Sequence, residues 1–136
     1  MRLLPYEIQF QKIGNPEIGF LSIASFQNEI PFEIKRVFVN YATPEDVMRG
    51  GHAHHATEMV LSALLGEIEL NIIDQDLKEY SFQLNQPNQG VYIPRGCWHT
   101  MTYSKHAIQL VICSTLYDEG DYIRDYQEFL SINNRS

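Results

Sequence analysis

An all-β sandwich or barrel closed by a short C-terminal helix is the fold class that three features of the sequence predict. Apolar and polar residues alternate with period two over most of the chain. Turn signals interrupt the alternation at close spacing, the pattern of packed antiparallel strands. Aromatic residues make up 12% of the chain, eight Tyr and seven Phe among them, and these side chains suit a pleated surface. A length of 136 residues fits one domain, 1–136, without linkers, repeats or low-complexity tracts.

The first 35 residues are β-rich but show no clear register. Arg36-Val37-Phe38-Val39-Asn40-Tyr41 reads as a strand, ended by Thr43-Pro44-Glu45-Asp46. Arg49 to His54 reads as extended, with Gly50 and Gly51 allowing a bend or a close backbone approach. From Glu58 to Asp74 a long β-rich stretch breaks at Gly66, after which Glu67 to Ile72 alternates as a half-exposed strand. Asp74-Gln75-Asp76 is a turn, Tyr80 to Leu84 alternates again, and Gly90 to Ile93 runs into a Pro94-Arg95-Gly96 turn. His106 to Leu116 is apolar with little alternation and is expected to be buried on both faces. Asp121 to Leu130 spaces Ile123, Tyr126, Phe129 and Leu130 as a helix does.

A formal charge of -7 argues against a nucleic-acid surface. No run approaches the roughly 20 apolar residues of a membrane span, and Met1 to Glu7 lacks the apolar run expected of an export signal. Cys97 and Cys113 are too few for a disulfide framework. The expectation is a cytoplasmic protein with two reduced thiols, Cys97 being inert.

The chemistry concentrates in Arg49-Gly50-Gly51-His52-Ala53-His54. On an extended backbone His52 and His54 share one face, and Glu58 has the same parity. Downstream, Pro94, Gly96 and His99 form a second motif. The two segments resemble the paired signatures of the cupin superfamily: HxH with Glu58 and Gly66, then P-x-G-x-x-H. The resemblance implies a cupin, a double-stranded β-helix or jelly-roll barrel. Three imidazoles and a carboxylate in such a barrel suit Zn, Fe, Mn or Ni. The same histidines suit metal-free acid–base work, because imidazole titrates near neutral pH. The bland alternative, satisfied core histidines, has to meet the cost of burying two of them beside a basic residue.

A closer resemblance covers Arg36 to Leu130. Arg36-Val37-Phe38, the Arg49 to His54 run, Gly90 to Pro94, Trp98-His99, Tyr117-Asp118-Glu119 and Asp121-Tyr122-Ile123-Arg124-Asp125-Tyr126 are similar to the 3,4-ketoisomerases acting on dTDP-4-keto-6-deoxyglucose. It implies a homodimer that exchanges N-terminal strands, with no cofactor and no metal, making a deoxyamino-sugar precursor for a surface glycan. It assigns His54 as the base at sugar C3 and His52 as the proton shuttle. Relatives carry a Tyr on the strand before the motif, where this chain reads Phe38-Val39-Asn40-Tyr41, and Tyr41 is a candidate acid with packing as its alternative. Arg49 would hold the diphosphate or the enediolate; its alternative is a surface arginine. Glu58, Trp98 and His99 would contact substrate, and Trp98 has simple packing as its alternative. His55 and Met59 depart from the family pattern, which has Lys or Arg and Gln there. The competing functions are a metal-dependent, dioxygenase-like cupin using His52, His54, Glu58 and His99, and a non-catalytic sugar-binding cupin.

Overall fold

The computed structural model describes residues 3–133; Met1 and Arg2, which head the stretch read for an export signal, lie outside the described residues, as do residues 134–136. Twelve strands and one 3-10 turn, Glu119–Asp121, precede one α-helix among the described residues. In chain order the strands are β1 (Tyr6–Gln9), β2 (Ile13–Asn15), β3 (Gly19–Leu21), β4 (Arg36–Tyr41), β5 (Arg49–His54) and β6 (Met59–Leu65). There follow β7 (Ile68–Ile73), β8 (Glu79–Leu84), β9 (Gln89–Ile93), β10 (Trp98–Tyr103), β11 (Ile108–Cys113) and β12 (Tyr122–Ile123), then α1 (Tyr126–Asn133). One sheet runs β1-β9-β6-β11-β4 and faces a second, β12-β5-β10-β7-β8; β2 and β3 form a separate hairpin. Every strand pair in them is antiparallel. This is the jelly-roll barrel with a short C-terminal helix that the sequence predicts.

Alternation decides what lies between the sheets. Met59, Leu61 and Ala63 of β6 and Ile68, Leu70 and Ile72 of β7 turn inward and pack with Val91, Ile93, Met101 and Val111. Each of these side chains larger than Ala63 contributes about 1.5–3 kcal/mol by leaving water. The outer face of the first sheet has its own cluster, in which Ile8, Phe10, Ile30 and Phe32 cover Val60, Tyr92 and Ile112. That cover leaves β11 buried on both faces, with Val111 and Cys113 inside and Ile112 outside, as its unbroken apolar run predicts. Leu116 is 70% exposed, so the run outlasts the strand.

Two segments differ from the expectation. The residues after the Pro94-Arg95-Gly96 turn form a full strand, β10, which is paired on both sides, to β5 and to β7. At the C-terminus helical spacing overstates the helix. Tyr122 and Ile123 pair with His54 and Ala53 as a strand, and the helix starts only beyond Asp125, whose carboxylate accepts from the Gln127 amide at 2.9 Å. Phe129 of α1 then packs with Ile123 on Ala53, and Trp98 and Leu130 close that cluster.

Candidate active site

The histidines meet because β5 lies between β10 and β12. His52 sits opposite His99 of β10, and His54 opposite Tyr122 of β12. A β-bulge at this point shifts the β5–β10 register between His99 and Thr100, leaving Gly51 without a partner. Gly50 has φ +81° and Gly51 φ +73°, and a Cβ on Gly50 would stand 2.7 Å from the His99 carbonyl oxygen. The close approach foreseen for the glycine pair is therefore built into the backbone. The bulge also lets Arg49 and His52, three residues apart, face the same cavity.

That cavity, about 220 Å³, opens between the sheets and is lined by His52, His54, His99, Tyr122 and three arginines, Arg36, Arg49 and Arg124. Phe38, Met59, Met101 and Val111 form its apolar wall. A larger groove of about 530 Å³ lies outside the first sheet, beside Phe10 and Phe20, and holds none of the histidines. The imidazoles are close: ring centroids are 4.6 Å apart for His52–His99 and 5.0 Å for His52–His54. The Tyr122 ring lies 4.4 Å from His54 and 4.9 Å from His52.

His54 is 3% exposed, and its Nδ1 lies 3.1 Å from Asp121 Oδ2. Burial alone would raise the Asp121 carboxyl. Hydrogen bonds from the Thr57 hydroxyl and, at 2.7 Å, from the Ala56 amide hold it below its ordinary value, helped by His54. A carboxylate only accepts, so His54 donates from Nδ1 and keeps its Nε2 lone pair free as a base. His99, fully buried, has Nδ1 3.4 Å from the Cys97 carbonyl oxygen, which orients it in the same way. His52 Nδ1 is buried without a hydrogen-bond partner. Burial, then the neighbouring His54, pushes His52 down to about 4. Burial likewise lowers His54 and drives His99 well down, so all three are neutral near pH 7.

At the mouth Arg124 donates to Glu119 through Nε at 2.7 Å and Nη2 at 3.1 Å and stacks on Tyr122, 4.2 Å from the ring centroid. Tyr117 also donates to Glu119, and the two partners, Arg124 first, bring that carboxyl down to about 2. The structure thus adds Asp121, Thr57, Tyr122, Arg36 and Arg124 to the residues read from the motifs. Three of these, Asp121, Tyr122 and Arg124, lie in the C-terminal string that marked the closer resemblance.

Three expected site residues are placed elsewhere. On β4, Arg36, Phe38 and Asn40 turn into the cavity, so Tyr41 turns out and is 72% exposed. On β10, His99, Met101 and Tyr103 point inward. Trp98 therefore lies on the outer face against Tyr126 and Phe129, with centroids at 5.0 and 5.6 Å, as a packing residue. Glu58 has the right parity only if the strand is continuous. Residues 55–58 leave β5 before β6 begins, and the Glu58 carboxylate instead accepts from the Tyr92 hydroxyl on the far side of β6. The four-ligand metal set is consequently not assembled: the three imidazoles have ligand atoms within 4.8 Å of one another, and among the described residues no carboxylate joins them. Cys97 is buried and pushed up to about 12, first by burial and then by Asp74, which leaves it inert as expected.

A family model described as "FdtA: WxcM-like, C-terminal" matches residues 6–134. The chain is 36% identical over 123 residues, 90% of its length and 87% of the relative's, to a TDP-4-oxo-6-deoxy-alpha-D-glucose-3,4-oxoisomerase of Aneurinibacillus thermoaerophilus. Among solved structures, a 3,4-ketoisomerase from Helicobacter canadensis superposes with a TM-score of 0.91 at 36% identity, covering 98% of this chain and 100% of that one. A mutant of the 3,4-ketoisomerase QdtA from Thermoanaerobacterium thermosaccharolyticum, in complex with TDP-4-keto-6-deoxyglucose, superposes with a TM-score of 0.90 at 31% identity, covering 98% and 96%. The chain belongs to the FdtA, WxcM-like family and is an isomerase, a sugar 3,4-ketoisomerase.

Proposed function

We propose that this chain moves the ketone of TDP-4-keto-6-deoxyglucose from C4 to C3 by acid–base catalysis without a metal. The product would enter deoxyamino-sugar synthesis for a surface glycan. The carrying observation is the buried His54–Asp121 dyad beside His52, both imidazoles facing one cavity. The substrates named for the relatives, and the TDP-sugar bound in a structural neighbour, support the choice of ligand.

The proton at C3 is acidified by the adjacent C4 carbonyl. His54 Nε2 takes it; the C3–H pair becomes the C3=C4 double bond, and the carbonyl pair moves onto O4. The C3 hydroxyl proton passes to O4 through His52, which lines the same cavity as His54. C4 then takes a proton, and the ketone stands at C3. Asp121 steadies the imidazolium that forms on His54. No atom is gained or lost, so no external oxidant is needed. Tyr122, over both rings, is placed to meet the sugar where it is reprotonated.

We read the working unit as a homodimer with exchanged N-terminal strands. Ile18 is 80% exposed, Phe20 and Leu21 are more than half exposed, and a lone hairpin such as β2–β3 is marginal in water. Edge strand β4 adds Val37, Val39 and Tyr41 to the exposed apolar surface. Among the described residues no helix is long and apolar enough to cross a membrane.

Incubation with TDP-4-keto-6-deoxyglucose in deuterated water, followed by NMR, tests the reaction. Solvent deuterium at C4 of a 3-keto product is expected; no incorporation at C3 or C4 overturns the proposal. Stoichiometric Zn, Fe or Ni in the purified active protein overturns the metal-free mechanism.

A further inference from the structure

The surroundings of the three cavity arginines divide them. Arg124 is committed to Glu119 by two hydrogen bonds. Arg49 is exposed at the far end of β5, opposite Met101, and its charge bears on Tyr103 rather than on the histidines. Arg36 differs from both. It starts β4 beside Cys113, whose thiol meets its guanidinium, and is half-buried, and no carboxylate lies within ion-pair distance among the described residues. Its Nε is buried without a hydrogen-bond partner. Phe38 and Tyr117 flank the guanidinium, each ring centroid 5.7 Å away. Its charge reaches His54 and helps to keep that ring neutral.

A guanidinium cannot discharge itself by losing a proton, so a partly buried, acid-free arginine is a costly feature that an anion would relieve. Building on the ketoisomerase reading, we propose that Arg36 is a catalytic residue, the cation that holds the enediolate oxygens when His54 removes the C3 proton. In the ground state it faces a neutral carbonyl and a hydroxyl. As the C3–H pair becomes the C3=C4 bond, negative charge develops on O4, and the fork of N–H donors can span O3 and O4 together. An interaction that strengthens only as charge develops lowers the barrier without tightening substrate binding. A diphosphate-binding role makes the opposite forecast, because that charge is present from the start.

The test uses Arg36→Met, Arg36→Lys and Arg36→Ala in the full chain. It measures kcat and deuterium exchange at C3 with TDP-4-keto-6-deoxyglucose, and the Kd of TDP alone by calorimetry. Arg36→Met is expected to lose about 10²–10³-fold in kcat and in exchange. The Kd of TDP should stay within about threefold, below the tenfold that 1.4 kcal/mol represents. Arg36→Lys, which keeps the charge but not the fork, should lose less, and guanidinium chloride should restore part of the activity of Arg36→Ala. If Arg36→Met fails to fold by circular dichroism, Arg36→Lys decides: a loss of at least about tenfold in kcat at unchanged Kd supports the assignment. A raised Kd of TDP with kcat retained at saturation makes Arg36 a diphosphate clamp and overturns it. Exchange absent in the wild type overturns the ketoisomerase reading itself, a result distinct from loss in the variants alone.

Discussion

The two ends of the sandwich interior share strands but bury opposite kinds of side chain. Along β10 the inward residues run from His99 at one end to Tyr103 at the other, and along β6 from Met59 to Ala63. At the closed end Ile68, Leu70 and Leu84 are fully buried and share one apolar cluster. At the open end three imidazoles, a half-buried guanidinium and the orphaned Nδ1 of His52 crowd a small cavity. Desolvating those groups costs free energy that burial at the other end offsets. Stability and chemistry are thus held by different ends of the same strands, so each should be removable without the other.

His54→Asn should give the largest effect, a fall of about 10³-fold in kcat with an unchanged thermal melt, since the general base is gone but its volume is nearly kept. Steady-state kinetics beside calorimetry checks both halves; a variant that loses its fold instead would merge the two ends. Leu70→Ala should do the converse, lowering stability by about 2–5 kcal/mol in urea titration while the rate per folded molecule holds. Asp121→Asn should reduce kcat by about 10²-fold with little change in KM, because it disturbs the tautomer and support of His54 rather than a substrate contact. Acid should act through the open end. The histidines are held neutral by burial, with His52 at about 4, so below their unfolded value near 6.5 the unfolded chain binds more protons. Their contribution is therefore complete above about pH 6.5 and is lost as pH falls toward 4, seen as a falling Tm between those values. Replacing His52 by Asn should flatten that slope. Tyr41→Phe should leave kcat unchanged within about twofold, because its ring is outside the cavity and only a hydroxyl is lost.

The succession of strands along the chain and the shared face of His52 and His54 were legible because both follow from local period-two geometry. The same parity misplaced Glu58, since counting fails where the chain leaves the strand at residues 55–58. Tyr41, read as an acid or a packing residue, and Trp98, read as a substrate contact or a packing residue, were left open for a different reason: alternation says that neighbours face opposite ways, but not which way is in. Placing Arg36 or His99 inside would have turned both outward. Asp121 was invisible to any local rule, standing 67 residues from the imidazole it supports. Only the pairing of β12 with β5 brings them together, and helical spacing concealed that pairing.

The unpartnered Gly51 works as a phase shifter in the strand. It inverts the alternation once, so that an odd interval of three residues sends Arg49 and His52 to one side. Deleting it would not simply tighten a turn; it would rotate either the arginine or the imidazoles out to the opposite surface. A one-residue gap here is therefore a change of wiring, whereas a loop elsewhere could absorb the same gap as a change of length.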